Sequence, residues 1–180
     1  MVVYLDHGVV WYAMKTIYRK ELKAKGYFDS QGIENFIPMQ RISEQKRGVT
    51  KETLQPAIHN LIFVKTDLGG LNEIKTNLNY IRNILVTQDG GQSVPVVVPT
   101  EQMEQFIDAT TNHIDDITYV DMSCGELEKG APVKIIGGEF EGYVGELERV
   151  KGSRDKVVHV ILKGVGAYKF KTSACYIEKL

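Results

Sequence analysis

The chain has 180 residues, 43% of them hydrophobic and 25% charged, with a formal net charge of −1. That length fits one large domain or two small ones, and the near-neutral balance supplies no global attraction to nucleic acid or anionic lipid. Two cysteines cannot build a disulfide framework, and no apolar run approaches the roughly eighteen residues of a membrane span, so a cytoplasmic protein is expected.

Val9–Thr16, dense in β-branched and aromatic residues, reads as a strand. Tyr18 to Ser30 reads as a helix, with Tyr18 and Leu22 one turn apart. Ile33 to Ile42 is extended, and Pro38 favours an edge or a strand end. Arg41 to Lys51 is polar and basic, as an exposed hairpin loop would be, and Leu61–Val64 reads as a short buried strand. Leu71, Ile74, Leu78 and Ile81 recur at spacings of three, four and three, the clearest helical stripe in the chain. Asp89-Gly90-Gly91 is a turn and Val94–Pro99 is extended. Thr100 is placed as the N-cap of a helix whose inner face carries Met103, Phe106, Ile107 and Thr110.

Residues 112–126 lack either periodicity and carry a net −4, which suits an acidic linker. Beyond it, Gly130 to Gly145 alternates apolar residues with glycines, and Gly137 to Gly142 reverses the chain around Phe140. Val144 to Val150 gives a second strand and Val157 to Leu162 a third, with Val158, Val160 and Leu162 on one face and His159 and Ile161 on the other. Residues 149–171 carry a net +6, a candidate binding surface with Tyr168 and Phe170 interleaved. The whole reads as α+β: a front sheet covered by helices, then a small all-β domain.

The spacing Gly130, Val133, Ile135, Gly138, Phe140, Gly142, Gly145 resembles a KOW motif, with Glu139 where that motif carries proline. Trp11-Tyr12, Phe36-Ile37-Pro38 and Pro56 to Val64 resemble, in the same order, the first strand, the pre-hairpin segment and the following strand of an NGN domain. Ile58, His59 and Leu61 replace an aromatic, a proline and a tyrosine of that last motif. Taken in order these features resemble the NusG-like transcription factors. Val97-Val98-Pro99 followed by Met103 and Phe106-Ile107 is similar to their UpxY-type specialised paralogues of Bacteroides-like bacteria. The resemblance implies an NGN α/β sandwich at residues 1–111, a linker at 112–126 and a Src-homology-3-like KOW β-barrel at 127–180.

It also implies a monomeric, cofactor-free elongation regulator or antiterminator of surface polysaccharide operons. Its NGN sheet would grip the clamp helices of RNA polymerase's largest subunit through Leu61 and Phe63, with Ile58 and Ile84 beside them. Arg41, Lys46, Arg47, Lys51, Lys75 and Arg82 would touch upstream or non-template DNA. Phe140, Arg149, Lys151, Arg154, Lys156 and Lys169 would meet a KOW partner: termination factor Rho, a small-subunit ribosomal protein, or RNA. An RNA-binding ribosomal or assembly protein is the alternative, and the net charge of −1 weighs against it. The four histidines and two cysteines lack metal-ligand spacings, and Gly137-Gly138 lacks the lysine of a phosphate loop, so neither a metal site nor an enzyme is expected.

Overall fold

The computed structural model describes residues 8–46, 48–87, 91–120, 130–148, 155–162, 165–173 and 176–180. The chain divides into two compact units, Met1–Ile107 and Asp108–Leu180.

In the first unit β1 (Val10–Thr16) leads to α1 (Glu21–Ser30), β2 (Asn35–Phe36), β3 (Met39–Lys46), β4 (Val49–Pro56) and β5 (Leu61–Thr66). Then follow α2 (Leu68–Asn77), β6 (Ile81–Asn83), β7 (Leu85–Thr87), β8 (Ser93–Pro95), β9 (Val97–Val98) and α3 (Thr100–Asn112). The main sheet runs β2-β5-β1-β6, with β9 also on β1, and every pairing is antiparallel. β1 is buried on both faces, the signature of a sheet with cover on each side. Tyr12, Met14, Ile62 and Val64 alternate onto one face and pack with Ala24 and Phe28 of α1 and Leu71 and Ile74 of α2. Trp11, Ala13, Leu61 and Phe63 therefore share the other face. There Phe63 meets Phe106 of α3 edge-on, centroids 5.6 Å apart, and Phe36 meets the same ring at 6.1 Å.

Four local expectations change. Tyr18 and Arg19 have φ of 56° and 53°, so the helix begins only at Glu21, and both Tyr18 and Leu22 face outward. The basic segment is a paired ladder, β3 on β4, rather than a loop. Ile81 is not helical: the chain leaves α2 at Leu78, whose ψ of 93° is extended, and Ile81 joins the same core from β6. The apolar stripe marked a shared core and not a shared helix. Thr100 is the first residue of α3 rather than the one before it, and the first turn closes on the Pro99 carbonyl, which accepts from Met103 N–H at 2.9 Å.

The second unit contains β10 (Ile117–Val120), β11 (Ala131–Ile135), β12 (Val144–Glu148), β13 (Asp155–Leu162), β14 (Gly166–Ser173) and β15 (Ile177–Lys179). They form one antiparallel sheet ordered β10-β14-β13-β12-β11-β15. β10 lies within the stretch expected to be linker. Its partner, Gly166–Ser173, is remote in sequence, and a four-residue edge strand shows almost no periodicity of its own. Residues 121–126 of that stretch lie outside the described residues. The β11–β12 reversal uses glycine where φ is +81° (Gly138) and +90° (Gly142), and Gly142 N–H donates to Ile135 O at 2.8 Å. Val158, Val160, Leu162, Tyr168 and Phe170 form the apolar side of this sheet.

Candidate functional site

Leu61 and Phe63 are 3% and 0% exposed, so the expected contact residues are core. The physical reason is the double cover of the sheet: α3 lays Phe106 over Phe63 and leaves that ring no surface for a visitor. Ile58, in the turn before β5, and Ile84, after β6, are half-buried. Ile84 is tied at the periphery of the sheet: its N–H donates to Ala13 O at 3.2 Å and its carbonyl accepts from Val96 N–H at 2.9 Å.

Val9, Val49, Leu54 and Leu85 of this unit are exposed, and so is a cluster of apolar residues in the β1–α1 loop. Ile17, Tyr18 and Leu22 are 40%, 84% and 54% exposed. Two successive non-glycine residues in the left-handed region cost about 1–2 kcal/mol each, and surrounding hydrogen bonds hold them there. Ile17 N–H donates to Tyr80 O at 3.0 Å, Thr16 N–H to Asn60 O at 2.8 Å, and Arg19 N–H to Asn60 Oδ1 at 2.8 Å. Asn60 itself has a φ of 61°. Lys20 Nζ lies 5.8 Å from the Tyr18 ring centre and 5.1 Å from that of Tyr80. Glu21 is buried just beyond, accepting from Thr16 Oγ1 at 3.2 Å with His59 Nδ1 at 3.9 Å. In the sequence Tyr18 stands one turn before Leu22, a helical spacing that conceals this loop. The available signal was a strand running into a helix with no glycine or proline at the corner.

Of the expected nucleic-acid set, Arg41 and Lys51 are exposed on the β3–β4 ladder, yet acids face them. Arg41 lies 3.8 Å from Glu52, and Lys51 stands opposite Glu44. Lys46 ends β3, and Arg47 lies outside the described residues. Lys75 is half-buried in the last turn of α2. Arg82 is exposed but folds back, one nitrogen donating to Asn79 O at 2.8 Å and Ile81 O at 2.7 Å. These cations are distributed among a ladder, a helix end and a strand.

In the second unit Phe140 is only 5% exposed, stacked on Phe170 at 4.0 Å, so it is core and not a projecting anchor. Arg149, Lys151 and Arg154 lie outside the described residues, while Lys156 and Lys169 are half-buried. Lys169 and Lys171 border a cavity of about 410 Å³, with Asp115, Asp116 and Glu139 also on its lining. Phe140, Phe170 and Val157 add its apolar part. Beside it Tyr143 donates to Asp108 Oδ2 at 2.5 Å, which holds the Asp108 carboxyl below the usual carboxylate range. Burial, reinforced by that carboxylate, pushes the Tyr143 phenol up, so it remains a donor.

Residues 9–107 match the NusG family, described as transcription termination factor nusG. A 147-residue alignment covering 77% of this chain is 31% identical to the probable endonuclease 4 of Staphylococcus saprophyticus. It covers 47% of that protein, so the chain spans about half the length of this curated relative. Among solved structures, Thermotoga maritima NusG, studied for its domain interaction, is 19% identical with a TM-score of 0.49, over 96% of this chain and 97% of that one. The MjSpt4:Spt5 complex in conformation B is 14% identical with a TM-score of 0.28, over 94% and 96%.

Proposed function

The chain belongs to the NusG family of transcription factors, and on that premise we propose that it is an elongation regulator that binds RNA polymerase and promotes read-through. The observation that carries this reading is the family match over residues 9–107, which coincides with the first compact unit. The polymerase contact is assigned to the rim of the sheet. Ile17, Tyr18 and Leu22 offer apolar surface next to Lys20, and Ile58 and Ile84 are kept as further half-buried candidate positions. Leu61 and Phe63, buried in the sheet, are left out of that contact. An apolar surface edged with cations suits a helical partner, and binding one clamp conformation in preference to another is enough to disfavour pausing and termination.

The cations of the β3–β4 ladder, with Lys75 and Arg82, are the proposed DNA-facing set. The second unit is the proposed KOW domain, whose partner is Rho, a ribosomal protein or RNA. Likeness to the UpxY-type paralogues makes surface polysaccharide operons the proposed targets and the cytoplasm the proposed location. Among the described residues no helix is long and apolar enough to cross a membrane.

The test is co-purification with core RNA polymerase together with a terminator read-through assay. Tyr18→Ala and Ile58→Asp are each expected to weaken binding about tenfold and to lower read-through in proportion, with the fold retained. Binding and read-through unchanged in the double variant would remove the rim from the mechanism. No polymerase binding by the unaltered chain would remove the reading itself, and nicking of plasmid DNA would turn attention to the endonuclease likeness.

A further inference from the structure

We propose that His113, Asp116 and Glu139 form a site for a divalent transition-metal ion, Zn²⁺ in the first instance. One ligand atom from each of the three side chains lies within 4.8 Å of the other two. The residues come from two segments that local and tertiary contacts hold in place. As α3 ends, His113 N–H donates to Ala109 O at 3.2 Å, and Asp116 N–H then donates back to His113 O at 3.0 Å. That turn places the imidazole and the carboxylate on one side of the chain at an i, i+3 spacing. Glu139 sits at the tip of the β11–β12 reversal, where Gly138 and Gly142 fix the backbone.

Neighbouring contacts join the two segments. The His113 ring packs on Phe140 at 4.8 Å, Phe140 stacks on Phe170 of β14, and β14 pairs with β10, the strand that follows Asp116. Tyr143, just after the reversal, donates to Asp108 in the turn before His113. The frame under the ligands is therefore ordered before any ion arrives, which is the costly part of building a metal site.

The donor set then selects the ion. One imidazole and two carboxylates, with no thiolate, suit borderline and hard divalent cations, and Zn²⁺ accepts this set with water completing the shell. Tetrahedral coordination at about 2.0–2.2 Å puts donor atoms about 3.4 Å apart. Asp116 and Glu139 are exposed and need only a modest rotation to close to that spacing. Neither carboxylate has an ion pair among the described residues, so their mutual repulsion is relieved by the cation. Asp116 and Glu139 line one cavity together with Asp115, which adds negative charge, and with Lys169 and Lys171, whose charge opposes cation binding.

The experiment is calorimetric titration of the full chain with ZnCl₂ in a buffer that does not chelate, compared with His113→Ala and Glu139→Gln. One Zn²⁺ per chain is expected, with each variant weakening affinity at least about tenfold. Co²⁺ substitution is expected to give d–d bands without a thiolate charge-transfer band, separating this site from binding at Cys124 or Cys175. Far-UV circular dichroism matching the unaltered protein keeps both variants interpretable, because Glu139 is exposed on a turn. The proposal falls if Zn²⁺ does not bind, if neither variant weakens binding, or if the cobalt spectrum shows thiolate ligation.

Discussion

Replacing Phe63 by alanine separates a core role from a binding role. The ring is fully buried, and it meets Phe106 at 5.6 Å with the planes at 66°. Truncating a buried phenylalanine costs about 3–5 kcal/mol, counting lost transfer energy and the cavity left behind. We take about 4 kcal/mol, because the site also loses an edge-on ring contact. With an m-value of about 1.3 kcal/mol/M for a unit of this size, the urea midpoint falls by about 3 M. The chain has a single tryptophan, Trp11, on β1 of the same unit and 2% exposed. Its fluorescence therefore reports unfolding of this unit alone. Phe63→Leu, which keeps most of the apolar volume, is expected to move the midpoint by about 1 M. A Phe63→Ala midpoint within about 0.5 M of the unaltered chain would refute the assignment of this ring to the core.

Two further outcomes follow from the same physics. Tyr18→Gly removes the left-handed strain at a φ of 56° and is expected to stabilise the first unit by up to about 1 kcal/mol in urea unfolding, while weakening polymerase co-purification. Tyr143→Phe is expected to destabilise the second unit by about 1–2 kcal/mol at neutral pH, read from tyrosine near-UV dichroism because that unit has no tryptophan. Asp108 is held below its ordinary range, first by the Tyr143 hydrogen bond, so its contribution is present above about pH 4 and is lost as pH falls through the lower folded value. The variant should flatten that acid limb. The Tyr143 phenol is raised, chiefly by burial, so its own contribution holds below about pH 10 and fades as the unfolded phenol ionises above it.

Much of the fold was legible because it is written in short-range pattern. Val10–Thr16 carries the β-branched and aromatic density of a central strand, and Met103 and Phe106 share the helical face that the core requires. Gly138 and Gly142 mark the reversal because only glycine takes those angles freely. The order of these motifs also pointed to the family that residues 9–107 match.

Alternation told that Leu61 and Phe63 share a face, but not that α3 covers it, since cover is a contact between residues more than forty positions apart. Ile117–Val120 became a strand only when a distant partner supplied its hydrogen bonds. Tyr18 left its expected helix because the loop's backbone bonds to Asn60 and Tyr80 are long-range. His113 and Asp116 show no ligand spacing with Glu139 along the chain; the stacked rings and the β10–β14 pairing bring them together. Local propensity and periodicity are properties of a sequence window, so the sequence determined the elements with a strong pattern of their own, such as β1, β5 and the β11–β12 reversal. Burial and the convergence of polar groups depend on which windows meet, and that was decided by the tertiary structure alone.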